Sequence, residues 1–140
     1  MCIYIKDTQK PVRVSTPRKA YKVFEVNGKE LISPFRNHKT KLDVLNNTCH
    51  STEDFLINLD PIRRTKLVHN QNTYGFHLYP NKTDAIALAS WNKTKCLTDA
   101  VVTECIIPKG AAFIRGTDDD DRATIMANQY KVTEIIHREE

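Results

Sequence analysis

At 140 residues, with 40% hydrophobic and 27% charged side chains, the chain matches one ordinary globular domain spanning residues 1–140, long enough for one sizeable core. No apolar run approaches the roughly 20 residues of a membrane span, and the opening Met1–Lys6 is too short for a signal-peptide apolar region. A cytoplasmic protein with no membrane partner is therefore expected. The net charge of +4 is uneven: residues 1–42 hold ten Lys/Arg against three Asp/Glu, which suits a phosphate-bearing partner.

In chain order, Lys10–Thr16 reads as a short edge strand, because Pro11 and Pro17 withhold amide hydrogens from a ladder. Tyr21–Val26 and Lys29–Phe35 flank Asn27-Gly28, which predicts a β-hairpin with a type I′ turn. Residues 36–73 are polar and broken. Their one apolar stretch, Phe55–Leu59, predicts a short helix or an irregular strand under a long loop.

Tyr74–Tyr79 reads as a strand, followed by a helix from Asn81 to about Trp91 with Asn81 or Thr83 as its cap. Ala85, Ile86 and Ala89 give that helix a small-residue face for close approach to a sheet. Val101–Ile107 and Ala111–Arg115 read as strands joined by Pro108-Lys109-Gly110, and Gly116–Asp121 as an acidic loop. Arg122–Ala127 and Tyr130–Ile136 read as two strands joined by a tight turn at Asn128-Gln129. The sum is an α+β fold: mainly antiparallel sheet, about seven strands, one or two short helices.

The four cysteines, Cys2, Cys49, Cys96 and Cys105, are widely spaced and form no C-x-x-C pair, so neither a disulfide framework nor a zinc site is indicated. Cys105 alternates with apolar neighbours and reads as a small core residue. Cys2 would become an N-terminal nucleophile on loss of Met1, but the chain is too short for the glutamine-binding apparatus such chemistry requires. There is no Gly-rich phosphate loop, and Asp118–Asp121 lack the spacing of a calcium loop. No cofactor and no metal are called for.

Strand alternation places His77 and Tyr79 on one face and Phe76 and Leu78 on the other. With Phe76 and Leu78 under the helix, His77 and Tyr79 would form an accessible platform of ring and hydrogen-bond donor. Tyr21, Lys22, Arg36, His38 and Lys39 would add cationic and aromatic character at the hairpin edge. The candidate ligand-binding residues are thus Tyr21, Lys22, Arg36, His77 and Tyr79, and the matching ligand is nucleotide-like or otherwise phosphate-bearing.

Gly75-Phe76-His77, the helix with Ala85, Ala87 and Ala89, and Cys105-Ile-Ile-Pro-Lys-Gly110 resemble a pattern in small proteins of bacteria and their phages. That resemblance implies a terminal β-strand but no assigned function; a phage origin would fit sequestration of a host signalling nucleotide. Tyr21-Lys22 and Gly75–Tyr79 with the following helix also resemble, distantly, the ADP-ribosyltransferase fold, which splays two small sheets around an NAD cleft. The family's first strand carries Arg or His where this chain has Lys22. Its late-strand glutamate is missing from Arg122–Ala127, where only Asp118–Asp121 stand nearby. Both departures weigh against transferase chemistry. A small-ligand binding protein is the preferred reading, ahead of an NAD-dependent transferase and of a factor binding nucleic acid or protein.

Overall fold

A computed structural model describes residues 3–33, 38–64, 74–96 and 100–138. The chain runs β1 (Val12–Arg13), β2 (Arg18–Asn27), β3 (Glu30–Ile32), β4 (Lys39–Thr40), β5 (Leu45–Asn47), α1 (Thr52–Asn58), α2 (Pro61–Arg64), β6 (Phe76–Leu78), α3 (Lys82–Cys96), β7 (Ala100–Ile107), β8 (Ala112–Thr117), β9 (Ala123–Ala127) and β10 (Gln129–Arg138). The α+β class with mainly antiparallel sheet holds. The described residues form ten strands, more than the expected seven or so, because β4 and β5 are two- and three-residue edge pieces within the stretch 36–73 that the sequence left unassigned.

The strands form two antiparallel sheets, ordered β1-β8-β9-β6 and β4-β3-β2-β7-β10-β5. Period-two alternation gives each long strand two apolar faces. Phe24, Val101, Cys105 and Val132 of the larger sheet meet Leu78, Phe113 and Ile125 of the smaller one in a shared buried cluster. On the other face of the larger sheet, Ala85, Leu88 and Ala89 of α3 pack on Val23 and Val102. On the other face of the smaller sheet, Phe55 and Leu59 cover Ile114 and Met126. The layers therefore run α3, six-stranded sheet, four-stranded sheet, α1. Among the described residues, no helix is long and apolar enough to cross a membrane.

Local chemistry explains the elements. Ser51 caps α1 by accepting from the Asp54 amide at 3.1 Å, and the expected Phe55–Leu59 stretch is the helix's second half with Leu59 as its C-cap. The β2–β3 hairpin forms as expected, with its turn one residue later than expected. Asn27 already pairs with Glu30, and the two-residue loop is Gly28-Lys29, with positive φ at Gly28 (64°) and not at Lys29. That is the signature of a type II′ turn, not type I′.

Two further expectations are corrected. β9 and β10 are not hairpin partners: at Asn128 the chain leaves the smaller sheet for the larger. The buried Asn128 takes the place of a tight turn. Its Oδ1 accepts from the Ala112 amide at 2.8 Å and its Nδ2 donates to Thr52 Oγ1 at 3.0 Å. Helix α3 covers Tyr79 rather than Phe76 and Leu78, because β6 ends by crossing to the larger sheet. There Tyr21 and Tyr79 exchange two backbone hydrogen bonds of 2.7 Å.

Candidate functional site

The Tyr21–Tyr79 bridge ties the two sheets together, and four of the five expected site residues gather there. Along β2, Ala20, Lys22 and Phe24 face the smaller sheet while Tyr21 and Val23 face α3. Lys22 is only 8% exposed; its Nζ donates to the His77 carbonyl at 2.7 Å and lies within 6 Å of the Phe24 and Tyr130 ring centres. Arg36 lies outside the described residues, as does Cys2.

Tyr79 is closed off from solvent while Tyr21 and His77 are half-buried, which corrects the expectation that His77 and Tyr79 form one accessible platform. Tyr79 is 2% exposed, and its hydroxyl donates to Asp118 Oδ2 at 2.9 Å. Burial, with that carboxylate beside it, pushes the Tyr79 phenol up. His77 pairs with Met126 and so shares a face with Ile114, opposite Leu78. The pair read as one platform is thus divided between two faces. Alternation within β6 holds, but the strand changes sheets between the two residues.

Asp118 also departs from the solvated acidic loop expected of Gly116–Asp121. It is 2% exposed and accepts from the amides of Asp120 and Arg122, each at 2.9 Å. Burial alone would raise its pKa; the Arg122 amide, the Tyr79 hydroxyl and the Asp120 amide outweigh that and hold it below the ordinary value. Among the described residues, no group of three His, Cys, Asp or Glu is placed to hold a metal ion.

Beside the junction, the His38 ring sits 4.9 Å from Phe76 and 6.1 Å, edge-on, from Tyr130. Burial first, and the Lys22 charge second, hold the His38 imidazole below its usual pKa, against an opposing hydrogen-bond effect of Asn46. Lys39 stands exposed on β4. Cys105 is a buried core thiol, as expected, pushed up to about 11 by burial.

An accessible concave feature lies elsewhere on the larger sheet. β2 and β10 are ten residues long, and the face they share with the smaller sheet outruns it. A groove of about 350 Å³ opens there, lined by Val26, Gly28, Lys29, Leu31, Lys41, Leu42, Ile135 and Arg138, with no residue of the smaller sheet. Its floor is aliphatic. Leu42 stands 47% exposed at its edge, and Lys29, Lys41 and Arg138 supply three exposed cations.

Two β-bulges in β10 create this lining. From Val132 inward-facing, strict alternation would bring Glu134 to the same face, but a register shift exchanges it for Ile135, paired with Thr103. A second shift exchanges His137 for Arg138, paired with Val101. The first bulge thus replaces an acid with an aliphatic side chain, and the second returns Arg138 to the face it would hold under strict alternation from Val132.

Compared with protein-family models, curated proteins and solved structures, the chain matches none.

None of the groove residues was among the expected site residues, although Val26, Gly28, Lys29 and Leu31 fall within the expected hairpin. The available signal was the excess of positive charge in residues 1–42, which supply Lys29 and Lys41.

Proposed function

We propose that the protein binds a small anionic ligand in the groove between the β2–β3 hairpin and the end of β10. The observation that carries this reading is three exposed cations, Lys29, Lys41 and Arg138, around an aliphatic floor of about 350 Å³. Among the described residues, none of the three has a carboxylate in ion-pair range. That volume lies at the lower end of the range for small-molecule sites, roughly 300–1,000 Å³. Clustered guanidinium and ammonium groups recognise phosphate or carboxylate by charge-assisted hydrogen bonds.

Binding is favoured over NAD-dependent transfer by the position of Lys22. Lys22, which the resemblance would match to the transferase fold's cofactor-gripping cation, is turned into the core and hydrogen-bonded to the His77 carbonyl. A nucleic-acid role needs a track of several phosphate contacts, whereas these cations surround one short concavity. Sequestration of a small anion requires only the groove.

Native mass spectrometry of gently purified protein tests the reading. A stoichiometric small-anion adduct is expected for the parent chain and should be absent from a Lys41→Glu/Arg138→Glu variant of unchanged circular dichroism. The same adduct on that variant would place binding elsewhere.

A further inference from the structure

We infer that the groove takes a short aliphatic amphiphile, a single alkyl chain bearing an anionic head, and not a nucleotide. This rests on the small-anion reading above and names the body of the ligand.

The lining decides the class. Val26, Leu31, Leu42 and Ile135 are all aliphatic, and among the described residues no aromatic ring lines the groove. A nucleobase is ordinarily held by stacking and by groups matching its polar edge. The nearest ring along β2, Phe24, is fully buried in the inter-sheet core, and Tyr130 of β10 is buried there as well. Among the described residues, no lining side chain carries a hydrogen-bond acceptor, because Lys29, Lys41 and Arg138 only donate. The exocyclic amine of adenine, cytosine or guanine would enter without a side-chain acceptor, and that loss discriminates strongly against it.

An alkyl chain meets neither obstacle. It needs no acceptor, it covers Val26 and Leu31 on the floor, and it removes the half-exposed Leu42 from water. The cations at the groove match a phosphate or carboxylate head, with Arg138 able to grip two oxygens at once. The modest volume limits the occupant to one short chain.

The experiment is titration calorimetry of the intact chain with butyl, hexyl and octyl phosphate, octanol and adenosine monophosphate. Leu42→Asp and Lys41→Glu/Arg138→Glu variants are measured in parallel. Leu42 is exposed at the groove edge, so its replacement leaves the core untouched. Affinity should rise about threefold to fourfold per added methylene, the factor for burying one CH2. Octanol and adenosine monophosphate should bind at least tenfold more weakly than octyl phosphate, and Leu42→Asp should lose at least tenfold for the octyl ligand.

If adenosine monophosphate binds as well as octyl phosphate, with no dependence on chain length, the amphiphile inference is overturned. The small-anion reading then stands, provided the charge-reversed variant loses binding. Octanol binding equal to octyl phosphate would overturn the anionic head. If no ligand binds, or if charge reversal leaves phosphate binding unchanged, the small-anion reading itself falls.

Discussion

The ammonium of Lys22 donates to the main-chain carbonyl of His77 at 2.7 Å, so a lysine buried between two sheets clamps the strand that joins them. Removing the donor while keeping the side chain's length leaves that carbonyl without its ammonium partner. Lys22→Met should therefore destabilise the fold by about 1–3 kcal/mol in urea unfolding. It should leave binding in the groove unchanged. An unchanged urea midpoint would show that the clamp contributes nothing.

The Tyr79–Asp118 hydrogen bond fixes the acidic loop beneath α3. Bonds to a charged acceptor contribute about 1.5–3 kcal/mol, so Tyr79→Phe should destabilise by that amount at pH 7. The pH dependence follows from the carboxyl of Asp118, which is held below its ordinary value of about 3.9. A group with a depressed folded-state pKa contributes stability that is full above the unfolded value and lost as pH falls through the folded one. The parent chain should therefore lose stability below about pH 4. Asp118→Asn should be less stable at pH 7 and flatter between pH 4 and 2 in thermal unfolding. Parallel acid profiles for the two proteins would contradict this.

Two glycines separate backbone strain from steric exclusion. At Gly28 an added Cβ meets nothing within 4 Å, but φ is +64°, so Gly28→Val should cost the left-handed penalty of about 1–2 kcal/mol. At Gly75 a Cβ would fall 2.7 Å from the carbonyl oxygen of Ala127 and 2.8 Å from Met126 Cγ. Gly75→Ala, the smaller substitution, should nevertheless destabilise more than Gly28→Val. The reverse order of melting temperatures would contradict the close approach of Gly75 to β9.

Asn128 takes the place of a turn where the chain changes sheets. Asn128→Ala strips the hydrogen-bond partner from the buried amide of Ala112 and should cost about 1–3 kcal/mol in chemical denaturation. A loss below about 0.5 kcal/mol, typical of surface sites, would mean that the corner does not depend on this side chain.

Much of the fold was legible where one local rule acts alone. Asn27-Gly28 between β-branched and aromatic flanks marked the hairpin, and Pro11 and Pro17 marked β1 as an edge. The spacing of Ala85 and Ala89 marked the face of α3 that packs on β2 and β7. Pairing across the molecule was less legible. Asn128-Gln129 resembles a hairpin turn in sequence, and its role as a sheet-to-sheet corner depends on Thr52 and Ala112, distant along the chain.

The site was less legible still, for two physical reasons. With helices covering the outer face of each sheet, alternation along Phe76–Tyr79 divides the side chains into two sets without showing that Tyr79 is covered as fully as Leu78. The groove gathers residues from β2, its hairpin, the β4–β5 loop and β10, and the last contribution depends on two bulges that break strict alternation after Val132. A one-residue slip exchanges the faces of a strand, so an unmarked bulge conceals which side chains reach the groove.

The most direct test of the groove as the ligand site is methyl-resolved NMR of the isotopically labelled chain titrated with octyl phosphate. The groove account predicts saturable shifts at the methyl groups of Val26, Leu31, Leu42 and Ile135, with Val23, Val102 and Leu88 beneath α3 unmoved. Shifts centred on Val23, Val102 and Leu88, with the groove methyls silent, would contradict it and move the ligand to the α3 face of the sheet.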